Sequence, residues 1–270
     1  MSTSGSPAAR LRREPPTFRR VEVRQVSPVS ARLLRVTFTG ADLDGLVVEQ
    51  PAASVRLLLP GVGEAELTMP AWNGNEFLLP DGRRPAIRTF TPRRLGPQSP
   101  ELELDVVVHD GGFASAWVQA AAPGHQAAIS GPGRGYPVDP EAQTFLLAGD
   151  ESAIPAISQL LEILPSDKTV QVHLEVAHPD ARHDLPKHAS ATVEWHDLPA
   201  GAPPGDAVVA AVMGAASDLT AGARVWAAGE AAAVQRIRRH LFQERNLPRS
   251  SAWIRGYWKH GRMGDADDDD

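Results

Sequence analysis

Two rhythms of apolar and polar residues divide the chain. From Thr17 to about Ser130, short stretches rich in Val, Leu, Ile and Phe alternate with Gly, Pro and Asp turns: FRRVEVRQVS, ARLLRVTFTG, SVRLLLP, AIRTFT, ELELDVVVH and QAAIS. In ELELDVVVH the residues Leu102, Leu104, Val106 and Val108 share one face, the alternation of a half-buried antiparallel strand. Many short strands of this kind predict a barrel. From Gln143 onward the rhythm becomes strand then helix. TFLLAG precedes ESAIPAISQLLEILP, where Ile154, Ile157, Leu161 and Leu164 fall at helical spacing. TVQVHLEVAH and ATVEWH read as strands, GDAVVAAVM as a helix and ARVWAAG as a buried strand. EAAAVQRIRRHLFQER reads as a helix that buries Val234, Ile237 and Leu241. Strands alternating with helices predict a parallel sheet, here of four or so strands.

The expected fold class is therefore α+β in two domains: an antiparallel β-barrel over 17–138, then a small parallel α/β domain over 139–263, joined at GPGRGYPVDPEAQ. Residues 1–16 and the acidic 264–270 are expected to be disordered tails. With 270 residues, 42% of them apolar, two modest cores are affordable.

Composition narrows the chemistry. The net charge of -6 and the lack of a basic stripe exclude general attraction to nucleic acid or to an anionic membrane surface. No apolar run is long enough to span a bilayer, and MSTSGSPAARLRREPP has no secretory apolar segment, so a cytoplasmic protein is expected. The absence of cysteine excludes a disulfide framework, a thiol nucleophile and a cysteine-ligated iron–sulfur cluster. Redox chemistry would then depend on an organic cofactor or on a metal with other ligands. His178, His183 and His188 in AHPDARHDLPKH match no compact ligand spacing and read as loop, so no metal site is expected. GPGRGY has neither the lysine and hydroxyl of a phosphate loop nor dinucleotide-binding glycine spacing.

An antiparallel barrel before a parallel sheet can hold a flavin in the first and a dinucleotide at the strand ends of the second. Within the barrel, RPAIRTFTPRR spends strand positions on an arginine and two hydroxyls where apolar β-branched residues would pack better. Further on, His109-Asp110-Gly111-Gly112 leads into a helix, whose free amides can bind an anion with Ser115 adding a hydroxyl. By spacing alone that segment is equally a glycine turn with a serine cap.

RTFT resembles the Arg-x-Tyr-[Ser/Thr] flavin motif of the ferredoxin reductase superfamily. With VVVHDGGFASAWVQAAAPG, LLAGDESAIPAI, WAAGEAAAVQRIRRHL and the closing GYWKHGR, the chain from about 18 to 263 resembles the siderophore-interacting protein family, the flavin-dependent ferric-siderophore reductases. The resemblance implies FAD, a nicotinamide donor (NADH or NADPH) and a ferric siderophore as substrate, reduced without an obligatory proton-transfer residue. A monomer is expected.

Residue by residue, the resemblance places FAD on Arg88, Thr89, Phe90 and Thr91, on His109, Gly112, Phe113, Ala114 and Ser115, and on Trp258. It places NAD(P)H on Gly149, Asp150, Glu151, Gly229 and Glu230, though the carboxylates are equally favoured at helix starts by the dipole. It gives Arg56, Arg134, Lys259 and Arg262 to the anionic substrate. Glu175 can accept from a ribose hydroxyl and Arg182 suits a 2′-phosphate, which leaves the nicotinamide open. Phe90 replaces the family's Tyr, Phe113 its common Pro, and Arg56 the lysine of a V-K-L-L-like strand. Two other readings stand beside this one: a reductase of a protein electron carrier, and a flavin-binding module without turnover.

Overall fold

The computed structural model describes residues 16–96, 100–220 and 222–261. Its first half carries strands β1 (Arg19–Ser30), β2 (Leu33–Thr39), β3 (Val55–Leu59), β4 (Ala71–Trp72), β5 (Phe77–Leu78), β6 (Ala86–Phe90), β7 (Pro92–Leu95) and β8 (Glu101–Val107), then helix α1 (Phe113–Ala120) and strand β9 (Gln126–Ser130). Strands β4 and β5 form a separate two-residue hairpin, which the apolar pattern does not reveal. The other seven make one antiparallel sheet in the order β6-β3-β9-β1-β2-β8-β7. Its edges, β6 and β7, are separated in the chain by Thr91 alone. A single strand passage thus supplies both edges, so the sheet curls back on itself as a barrel. The sequence RTFT lies at that closure.

The alternation of ELELDVVVH holds: Leu102, Leu104 and Val106 are buried in the barrel core with Phe38 and Val36. The strand stops at Val107, and Val108 is only half-buried. Helix α1 contributes Trp117, whose ring stacks on Phe38 at 6.2 Å with planes 12° apart. Across the β2–β8 register Arg35 faces Asp105, and the guanidinium donates at 2.7 and 2.8 Å to its two carboxylate oxygens. Asp105 is buried, so the fork matches a charge that has lost its water.

The second half runs β10 (Thr144–Gly149), α2 (Ile154–Ile163), β11 (Thr169–Val176), β12 (Ala191–Asp197), α3 (Asp206–Ala215), β13 (Arg224–Glu230), α4 (Ala231–Arg239) and β14 (Ala252–Trp258). The sheet is parallel throughout, in the order β12-β11-β10-β13-β14. Five strands stand where the sequence predicts about four, because β14 completes the edge beyond β13. Ile154, Ile157, Leu161 and Leu164 are buried beneath one face. Val234, Ile237 and Leu241 are buried beneath the other, although the helix predicted through Arg245 ends its α-helical course at Arg239 and continues as a π turn over His240–Glu244. The connection after β10 leads to β11 on one side and that after β13 to β14 on the other, so the topological switch point lies between the carboxyl ends of β10 and β13.

Leu33, Ala52 and Tyr136 from the first half join the apolar core of the parallel sheet. Gln159 stitches the joint, accepting from the Ala52 amide at 2.7 Å and donating to the Pro92 carbonyl at 2.5 Å. Among the described residues no helix is long and apolar enough to cross a membrane.

Candidate cofactor and substrate site

Strand β6 presents Arg88 opposite Leu57, Thr89 opposite Arg56 and Phe90 opposite Val55. The Arg88 guanidinium turns along the barrel end: Nη1 donates to the Ile87 carbonyl at 2.7 Å, and its carbon lies 5.7 Å from the Phe113 ring centroid. RTFT and GGFAS, more than twenty residues apart in sequence, therefore meet. Gly112 is the cap of α1 and provides no side chain to cap the first amides. A methyl group at Gly112 would collide with the His109 ring and with Ser115 Oγ. The uncapped amides of a helix start and an adjacent guanidinium form a cradle suited to a phosphate.

Ser115 is turned away from that cradle. Buried, it accepts from the His109 amide at 3.0 Å and donates its one proton to the Val107 carbonyl at 3.1 Å, so it closes the turn rather than offering a donor to an anion. His109 is exposed, its Nδ1 3.1 Å from the Asp110 carbonyl. Ala114 is half-buried on the first turn, against the barrel core. Thr89 is exposed, Phe90 half-buried against the same core, and Thr91 buried. Thr91 shares a hydrogen bond with Tyr257 of β14, and burial pushes the Tyr257 phenol up to about 12. That contact was not legible in the spacing, since the partners belong to different halves of the chain.

At the switch point the predicted nucleotide carboxylates have other occupations. Asp150 accepts from the Ser152 amide and hydroxyl at 2.9 and 2.5 Å, from the Glu230 amide at 2.9 Å and from Trp258 Nε1 at 2.8 Å. Burial nevertheless raises its pKa, because the loss of water outweighs these donors. Glu151 accepts from the Ala177 amide and, at 3.0 Å, from Arg32 of the barrel half. Glu230 accepts from the Ala233 and His260 amides. Glu175, predicted to receive a ribose hydroxyl, instead takes the amides of Gly205, Ala207 and Val208 at the start of α3, and burial raises its pKa. All four carboxylates build the rim of the sheet from inside.

The glycines at this rim are required by close approach. A methyl group on Gly149 would collide with Ala153 and the Ala228 carbonyl, and Gly229, at φ +150°, sits against the Asp150 carboxylate. Trp258 is half-buried with its indole fixed by Asp150, which locks the ring direction beside the barrel joint.

Of the predicted substrate cations, Arg56 is exposed on β3, Arg134 on the joint loop and Lys259 just past β14, while Arg262 lies outside the described residues. Arg182 pairs with Asp197 at 2.5 Å.

A dinucleotide flavin fits this arrangement: one guanidinium, uncapped helix amides and exposed backbone converge at a barrel end that abuts the switch point of a parallel sheet. A barrel abutting a parallel sheet in this way is the fold that ferredoxin reductase structures share. Residues 22–136 match the siderophore-interacting FAD-binding domain and residues 142–261 the siderophore-interacting protein family. The chain belongs to the siderophore-interacting protein family.

It is 34% identical over 244 residues to a ferric vibriobactin reductase of Vibrio cholerae, with 88% of each chain covered. It is 31% identical over 237 residues to an NADPH-dependent ferric-chelate reductase of Escherichia coli, covering 86% of this chain and 89% of that one. A siderophore utilization protein from T. fusca superposes with a TM-score of 0.78 at 32% identity, over 93% of this chain and 96% of the other. Phthalate dioxygenase reductase shares the fold, with a TM-score of 0.60 at 12% identity over 90% of this chain and 68% of that one.

Proposed function

We propose that the protein is a flavin-dependent ferric-siderophore reductase, working as a cytoplasmic monomer, that passes electrons from NADH or NADPH through FAD to the Fe(III) complex. The observation that carries this reading is the meeting of Arg88 with Phe113 at the uncapped start of α1. Arg88 and the α1 amides would hold the FAD phosphates, Phe90 and Trp258 would offer it apolar contact, and Thr91 is held at the joint by Tyr257. Gly149 and Gly229 let the rim pack closely at the switch point, where a dinucleotide would lie. Asp150, Glu151 and Glu230 act as positioning residues for that rim.

FAD, when bound, links a two-electron donor to one-electron acceptors: one hydride leaves NAD(P)H, and two Fe(III) become two Fe(II) with release of a proton. Hard oxygen chelators hold ferrous iron less tightly, so the metal leaves. Arg56, Arg134 and Lys259 supply the positive charge that attracts an anionic complex to a net-negative protein.

The test is steady-state turnover of a ferric siderophore with a ferrous-specific chelator as trap. Trapped Fe(II) should appear at about two per nicotinamide oxidised and require FAD. Nicotinamide oxidation without ferrous iron would instead favour a protein electron carrier as acceptor.

A further inference from the structure

On the face of the parallel sheet that carries Glu175, away from the flavin cradle, His173 of β11 pairs in register with Glu194 of β12, and His196 follows two residues later on the same side. His173 is buried, His196 half-buried and Glu194 exposed. His173 Nδ1 lies 3.1 Å from His196 Nε2 and 3.8 Å from Glu194 Oε2, and one ligand atom from each of the three falls within 4.8 Å of the others. From these positions we infer a binding site for a divalent first-row transition ion, zinc or ferrous iron in class, held by His173, Glu194 and His196.

Metal–nitrogen bonds of about 2.0–2.1 Å and metal–oxygen bonds of about 2.0–2.2 Å put neighbouring tetrahedral ligand atoms roughly 3.3 Å apart. The separations of 3.1 and 3.8 Å bracket that value, and the exposed Glu194 side chain can draw in. The two imidazoles share a hydrogen bond through these nitrogens, and moving its proton to the far nitrogen of the same ring would free both lone pairs for a metal. Two nitrogens and one carboxylate select a borderline transition ion over magnesium or calcium. Three protein ligands leave a position for water, reached from solvent past Glu194. Sequence spacing led to no metal site being expected, because a site built across two strands has no short-range signature.

The experiment is calorimetric titration of the chelator-treated, FAD-loaded protein with Zn²⁺, repeated with Co²⁺ while following its ligand-field bands beyond the oxidised-flavin absorption. One equivalent should bind, and Glu194→Gln and His196→Gln should each weaken it by at least about tenfold, with His178→Gln as an unaffected control. Glu194 is exposed, so its variant tests the site without threatening the fold. No stoichiometric binding by the wild type, or equal binding by both ligand variants, would overturn the assignment. Neither outcome bears on ferric reduction, which uses other residues.

Discussion

At the residue scale the account rests on Arg88. Its charge was legible because an arginine in the middle of a barrel strand has no packing advantage there. Its partner Phe113 was legible only as part of a neighbouring motif. If Arg88 holds the FAD phosphates as proposed, Arg88→Ala should remove a charge-assisted hydrogen bond worth on the order of 1.5–3 kcal/mol. Flavin fluorescence titration should show FAD binding about ten- to a hundredfold weaker in a protein that still folds. Unchanged affinity would remove Arg88 from the cofactor. Asp150 shows the opposite case. The resemblance gave it to the nucleotide, yet beside the local Ser152 amide and hydroxyl two of its donors come from residues 80 and 108 positions away, and no local pattern carries that information.

The two tyrosines of the chain, Tyr136 and Tyr257, are both pushed up to about 12 by burial. A free phenol titrates near 10, so between roughly pH 10 and 12 the unfolded chain holds fewer protons than the folded one. The stability that these residues contribute is whole below pH 10 and falls as pH rises through 12. Tyrosinate absorbance of the native apoprotein should therefore stay flat near pH 10 and climb only around 12, while the denatured protein titrates near 10. A native step near 10 with intact circular dichroism would contradict the burial of these phenols.

At the element scale, the strands with strict alternation were the most legible, and β8 shows why: its apolar face is buried and its polar face carries specific partners. Among those partners is the Arg35–Asp105 fork. Arg35→Ala strands a buried carboxylate and should cost about 3 kcal/mol in urea unfolding. Replacing both residues with apolar side chains of similar volume, as Arg35→Met with Asp105→Leu, should recover most of that loss. A single variant within about 0.5 kcal/mol of wild type would show that the pair is not a structural requirement. Elements defined by long-range pairing were the least legible. Strand β14 interrupts its pattern with Arg255 and Gly256, and it exists because β13 offers an edge.

At the scale of the whole molecule, the two-part architecture was readable from the change of rhythm, but the joint was not. Leu33, Ala52, Tyr136, the Arg32–Glu151 ion pair and the Thr91–Tyr257 contact appear only when the halves pack. Under the proposed function, the flavin, the nicotinamide and the iron complex would meet at this joint. A chain of net charge -6 attracts an anionic chelate only through a local cationic surface. Arg56→Gln with Lys259→Gln should leave flavin reduction by NAD(P)H nearly intact but slow reoxidation by an anionic ferric siderophore. Added salt should narrow that gap, because screening acts over about 8 Å at physiological ionic strength. Equal reoxidation rates at low salt would remove these residues from substrate capture.

The central claim is tested most directly by anaerobic stopped-flow absorbance of the FAD-loaded protein, first mixed with one equivalent of NADH or NADPH and then with a ferric siderophore. The account predicts loss of the oxidised-flavin band in the first mix. In the second the band should return in full, consuming about two ferric complexes per flavin. Bleaching by the nicotinamide with no return on any ferric siderophore would contradict it.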